Sequence, residues 1–172
     1  MRVTHPEPDR GRRPATDAEA RALASTLRLR ILRACLGEPH TNKEIAEALE
    51  KDPATILHHV RTLVDTGFLE AQAVRRGTRG SREIPYLATG KSWQMETPAK
   101  DSSMLSAFLE EVALVPVEAL DTMRAGLRLT AERKEELSHR FTALVEEYFA
   151  DEDADGEPWS VFLTIHPDPN RS

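Results

Sequence analysis

The sequence has one cysteine, Cys35, and no apolar run longer than the six residues from Val112 to Val117. A single thiol cannot close an internal disulfide. Six residues, one of them Pro116, fall far short of the roughly 20 that a membrane helix requires. The N-terminal stretch MRVTHPEPDRGRRP lacks the apolar segment of a secretory signal, and with the lone thiol this leads us to expect a cytoplasmic protein. Also missing are a nucleophile beside a base, a glycine-rich phosphate loop and a set of metal ligands, which argues against an enzyme and against a bound cofactor. Basic residues are in deficit too. The chain of 172 residues carries 23 Lys and Arg against 29 Asp and Glu, a net charge of −6 that counts against a phosphate-rich partner.

That deficit is unevenly placed. Residues 1–100 hold 17 basic and 13 acidic side chains, net +4, whereas residues 101–172 hold 6 and 16, net −10. Such asymmetry points to a nucleic-acid-facing part joined to a part with another task. The basic half is rich in arginine, whose planar fork suits phosphates and guanine edges better than lysine does.

Residues 1–14, with three prolines and four arginines, read as a disordered basic arm that either touches DNA or keeps the chain soluble. Thr16 stands three residues before Glu19 in the capping-box pattern and opens a helix through Leu23. A second helix spans roughly 26–36, with Leu27, Ile31 and Cys35 on one stripe, and Gly37 at the position of a left-handed cap. Cys35 is a packing residue in this reading. Thr41 to Glu44 form another capping box before Ile45, Ala46 and Leu49. Asp52 and Pro53 then supply an N-cap and a first helical residue for PATILHHVRTLVDTG, which carries Ile56, Val60, Leu63 and Val64 at helical spacing and ends at Gly67. Two capped helices meeting across about three residues make a helix-turn-helix, whose second helix enters the DNA major groove. Phe68–Arg75 and Arg82–Ala88 follow as strand-like runs joined by RGTRGS, a hairpin with a basic tip. Pro85 lacks an N–H, so its strand is expected at an edge.

From Leu23 to Leu69 the sequence resembles the ArsR-like winged helix-turn-helix transcriptional regulators, on LASTLRLRILRACLGEPHT, KEIAEAL and ILHHVRTLVDTGFLE with the wing behind them. The resemblance implies a homodimeric repressor. Many members sense metals through cysteine pairs, and with one cysteine this chain does not inherit that property.

With Ile56 centred on the buried side, a turn of 100° per residue sets Val60, Leu63 and Val64 inward and turns Ala54, Thr55, His58, Arg61, Thr62 and Asp65 outward. Thr55, His58, Arg61 and Thr62 are the candidate groove contacts, Arg61 being best suited to a guanine edge or a phosphate. Asn42 and Lys43 would grip the backbone at the N-terminus of the bracing helix. Arg75, Arg76, Arg79 and Arg82 lie on or beside the wing tip, placed for a narrow minor groove or for phosphates. His58 and His59 point about 100° apart, so they make no metal site.

Trp93 and Met95 read as anchors leaving the wing. A helix is expected from Ser102 to about Gly126, kinked or split at Pro116, and another from Thr130 to Ala150 with a stripe of Leu137, Phe141, Leu144, Val145 and Tyr148. These faces exceed what one small domain covers, so a partner subunit is expected to cover them, with two recognition helices about 34 Å apart on a pseudo-palindromic operator. Asp151 to Glu157 read as a solvated acidic loop. Trp159 to His166 read as a terminal strand, with Trp93 to Met95 a candidate partner. Trp93, Phe108, Phe141, Tyr148, Trp159 and Phe162 are either core or the lining of a small-molecule effector pocket. The expected fold is therefore mainly α with a small β wing: an arm at 1–14, a winged helix-turn-helix DNA-binding domain at 15–92, and a helical dimerisation and effector region at 93–172 with a short terminal strand. The expected function is sequence-specific, regulatory binding of double-stranded DNA. The alternative is a protein-interaction adaptor whose winged helix no longer binds DNA.

Overall fold

In the computed structural model, which describes residues 12–77, 80–95, 102–150 and 156–170, the helices start where polar side chains can hold the free N–H groups of a first turn. Thr16 and Glu19 form a reciprocal capping box for α1 (Asp17–Leu23), and Ser25 caps α2 (Thr26–Ala34). Thr41 and Glu44 repeat the box for α3 (Asn42–Ala48), and Asp52 caps α4 (Pro53–Asp65), which carries Pro53 in its first turn. Each such cap contributes about 1 kcal/mol. Gly37 and Gly67 follow α2 and α4 with φ of +79° and +74°, the left-handed conformation that a glycine accepts without a steric penalty. The turn between α3 and α4 passes through Glu50, whose φ is +52°.

The chain divides between Leu114 and Val115 into two compact units. In the first, α1 to α4 close around Ile31, Cys35, Ile45, Ile56, Val60, Leu63 and Phe68, all exposed by 1% or less. Burial of each such aliphatic side chain is worth about 1.5–3 kcal/mol. Beside this core, β1 (His40–Thr41), β5 (Pro85–Ala88) and β2 (Leu69–Ala71) form an antiparallel sheet in the order β1-β5-β2, with His40 opposite Tyr86 and Leu69 opposite Ala88. Beyond it, β3 (Arg75–Arg76) and β4 (Arg82–Glu83) make a separate two-stranded ladder. The wing is thus a broken hairpin rather than two continuous strands. Pro85 does not sit on an edge strand: β5 is the centre of its sheet, and the missing N–H is tolerated because Pro85 is the first residue of that strand.

Order also begins earlier than Thr16. Arg13 N–H donates to the Gln94 carbonyl at 3.0 Å beside an isolated bridge to Met95, and its guanidinium pairs with Glu19 at 2.6 Å. Met95 is 2% exposed and anchors as expected, but Trp93 is 41% exposed. The remainder of the predicted arm, residues 1–11, lies outside the described residues. α5 (Ser103–Val112) packs on α2 within this first unit, with Arg30 to Glu110 at 2.9 Å and Arg33 to Glu111 at 3.6 Å.

The helix expected to reach Gly126 ends at Val112. Proline disfavours a helical residue before it and removes a donor, and after Pro116 only a short 3-10 turn (Val117–Ala119) forms. In the second unit α6 (Ala131–Ala150) is a continuous helix starting after Thr130, whose hydroxyl accepts from Arg133 N–H at 3.3 Å. Trp159 to His166 is not a strand, its residues being almost all exposed with no ladder of their own among the described residues. Asp151 to Asp155 of the acidic loop lie outside the described residues. No described side chain from Val115 to Asn170 is buried within the unit. No helix of the described residues is long and apolar enough to cross a membrane.

Candidate nucleic-acid interface

The helical spacing of α4 resolves into an inner and an outer face. Ile56, Val60 and Leu63 are fully buried and Val64 is half-buried, while Ala54, Thr55, His58, Arg61 and Asp65 are exposed. Arg61 has no side-chain hydrogen bond or ion pair among the described residues, so its five donors are open to a ligand. His58 is exposed and stands edge-on to His59, ring centres 5.5 Å apart. Thr55 is exposed. Thr62 is less available than the wheel implies: it is half-buried and its hydroxyl donates to the His58 carbonyl at 3.2 Å.

At the start of α3 the two predicted backbone contacts differ. Lys43 is exposed, with Glu47 at 3.7 Å, a loose surface pair that leaves the ammonium accessible. Asn42 instead turns inward, donating from Nδ2 to the Pro53 carbonyl at 2.9 Å. Its Oδ1 is buried without a partner among the described residues. Asn42 therefore ties α3 to the first turn of α4.

The β3–β4 ladder sorts the wing arginines. Arg75 stands opposite Glu83, and Arg76 stands opposite Arg82. Opposite charges across a strand pair stabilise it, and like charges placed directly opposite destabilise it. Arg76 and Arg82 are both exposed and neither has an ion-pair partner among the described residues. Their mutual repulsion is what an anion would relieve. Arg75 is committed elsewhere: its guanidinium donates to Glu44 Oε1, and its Nε lies 3.8 Å from Glu83 Oε2. Arg79 lies outside the described residues. Gly77 leaves room for the Glu83 carboxylate, since a Cβ there would stand 2.0 Å from Glu83 Oε1. An open groove lined by Thr41, Asn42, Lys43, Arg82, Glu83, Ile84 and Tyr86 runs between the start of α3 and the wing, and it brings the predicted Lys43 and Arg82 to one surface.

Two supports behind the interface have no signal in local sequence spacing. Lys91 Nζ donates to the carbonyl of Thr66, the C-cap of α4, at 2.6 Å, lies 2.8 Å from Glu19 Oε1, and stands 5.3 Å from the Phe68 ring centre. A cation at a helix C-terminus complements its dipole. Arg13, Lys91 and Thr16, in that order of effect, hold the Glu19 carboxyl far below the usual carboxylate range. Arg28 donates from Nε to the Ala22 carbonyl at 2.5 Å and from Nη2 to the Arg21 carbonyl at 2.6 Å, and its Nη1 lies 3.4 Å from His59 Nδ1. Burial, then Arg28, then His58 depress the basicity of His59, so the ring is neutral near neutral pH and accepts from Arg28. Burial likewise pushes the Cys35 thiol up to about 12, which leaves it an inert packing group. Among the described residues no three His, Cys, Asp or Glu side chains converge on a metal-sized site.

The site is thus a capped helix pair with an outward arginine, followed by a hairpin presenting two exposed, directly opposed arginines. Residues 23–72 match the helix-turn-helix domain family. This helix-turn-helix match runs from the end of α1 through β2 and includes both helices of the motif. No curated protein matches the sequence. Solved structures resemble it loosely: a double mutant of Lactococcus lactis ZitR in apo form at 24% identity, covering 75% of this chain and 86% of that one, with a TM-score of 0.34; wild-type Lactococcus lactis ZitR in complex with DNA at 22%, 73% and 74%, with 0.31; and Bacillus subtilis PadR in complex with operator DNA at 15%, 73% and 72%, with 0.35. At such scores the likeness transfers no property to this chain.

Proposed function

We propose that the chain is a sequence-specific DNA-binding transcriptional regulator that acts as a homodimeric repressor of the ArsR-like type. The observation that carries this reading is the directly opposed Arg76 and Arg82, without ion-pair partners among the described residues, on a wing beside a helix-turn-helix whose outer face presents Arg61. In this reading α4 enters the major groove with Thr55, His58 and Arg61 toward base edges, Lys43 meets a phosphate, and Arg76 and Arg82 lie on phosphates or in the minor groove. Arg79, a basic residue of the same sequence run, is proposed as a further phosphate or minor-groove contact. Thr62 contributes through its methyl group, its hydroxyl being engaged with the helix backbone. Residues 15–92 read the DNA and residues 93–172 assemble the dimer.

The dimer follows from the apolar groups of the C-terminal residues. Tyr148 is 73% exposed and Trp159 81% exposed, and a second copy covers such groups while setting two recognition helices on a two-fold operator. Small-molecule control would act through the same assembly face. The experiment is fluorescence anisotropy of purified protein against duplexes recovered from random DNA by repeated selection. A single palindromic motif should emerge, and log affinity should fall with log salt by about 0.9 per phosphate contact. Recovery of no motif, with salt-independent retention, would instead favour an adaptor that recognises protein.

A further inference from the structure

We propose that Arg75 does not contact DNA but is a positioning residue, the bolt of an electrostatic latch that fixes the wing against the bracing helix. This rests on the DNA-binding reading for its consequence, and on the geometry of the free protein for its existence. Consecutive strand residues face opposite sides of a ladder, so Arg75 and Arg76 point apart. Arg76 points to the side where Arg82 stands opposite it, while Arg75 points to Glu83 and to Glu44 on α3.

The two oxygens of Glu44 divide the labour. Oε2 accepts from Thr41 N–H at 2.7 Å and from its hydroxyl at 3.0 Å, closing the capping box, while Oε1 accepts from Arg75. Thr41, first of all, and Arg75 hold this carboxyl below its usual range, as expected of a group that stays ionised between them. Glu83 also accepts from the Ser81 hydroxyl at 3.3 Å. One guanidinium thus joins the first turn of α3 to both strands of the outer hairpin. The groove that carries Lys43 and Arg82 is bounded by the same two elements, so the latch sets the distance between those two cations.

Four variants separate positioning from contact: Arg75→Ala, Glu44→Gln, Glu83→Gln and, as control, Arg76→Ala. Glutamine also serves at the third position of a capping box, so Glu44→Gln removes the charge and keeps the helix. In the free protein, amide hydrogen exchange of residues 75–77 and 81–83 should quicken in Arg75→Ala and Glu44→Gln while the melting temperature scarcely moves. A general loss of structure would move both. Against the selected duplex, Arg75→Ala and Glu44→Gln should each weaken binding by about two- to five-fold, the range of a partly exposed ion pair. Glu83→Gln should weaken it less. The Arg75→Ala/Glu44→Gln double variant should be no weaker than either single one, and the salt slope should stay that of the wild type. Arg76→Ala should instead reduce the slope by about 0.9.

The latch is overturned if exchange is unchanged in both variants, or if Arg75→Ala reduces the slope while Glu44→Gln tightens binding, since a freed arginine would then be a phosphate ligand. Absence of DNA binding by the wild type would refute the regulatory reading alone. The exchange result would still decide the latch.

Discussion

His59 shows how a single side chain can be assigned to support rather than contact. It neighbours the exposed His58 in sequence, yet it is half-buried with Arg28 against its Nδ1. Its folded-state basicity is depressed, so protonation favours the unfolded chain. The stability this contributes is present above the ordinary value of 6.5 and is lost as pH falls below it. Wild-type protein should therefore lose melting temperature between pH 7 and pH 5 faster than His59→Gln, which keeps an acceptor for Arg28 but cannot titrate. Parallel pH profiles by circular dichroism would refute this. Asn42 also has a supporting bond, to the Pro53 carbonyl. Its position at a helix start was visible in the sequence, but the Pro53 carbonyl that occupies its amide was not, because that contact depends on how two helices cross.

Among the elements, α1 to α4 were the most legible, since each start is set by local chemistry: Thr16, Ser25, Thr41 and Asp52 cap their own helices. The inner and outer faces of α4 were legible for the same reason, being a matter of 3.6-residue periodicity. Strand order was not. Nothing local says that His40 and Thr41 will flank Tyr86 and Pro85 and turn an expected edge strand into a central one. The segment after Pro116 departs from the expected helix because its apolar residues fall at helical spacing without a side-chain cap or the packing that makes a helix stable. The value of a cap can be measured on α4. Asp52 Oδ1 accepts from Ala54 N–H at 2.8 Å and Thr55 N–H at 3.3 Å. Asp52→Ala should cost about 1 kcal/mol in urea unfolding, whereas Asp52→Asn should retain most of it. A loss in DNA affinity should follow the same order, because Thr55 lies in the first turn that this cap holds.

At the scale of the molecule, the net charge of −6 conceals a basic winged helix and an acidic C-terminal part. The place to separate them is set by packing rather than by charge. α5 belongs to the first unit through Arg30–Glu110 and Arg33–Glu111, so a cut at Lys100 would strip α2, whereas a cut after Leu114 leaves those pairs intact. A chain truncated after Leu114 should remain folded by circular dichroism and sediment as a monomer. It should also bind the selected duplex at least ten-fold more weakly than the full chain, a difference of about 1.4 kcal/mol or more. Dimers of that truncated chain at micromolar concentration would move the interface into the first unit.

Gly77 carries a consequence beyond the hairpin turn in which it lies. The Glu83 carboxylate crosses the space that a side chain at 77 would fill, so part of the wing's orientation is encoded by an absent methyl group. Glycine-to-alanine replacement there adds no charge and removes none. It would nonetheless require the flexible end of Glu83 to move from its place beside Arg75, so that an uncharged substitution should loosen an ion pair one strand away.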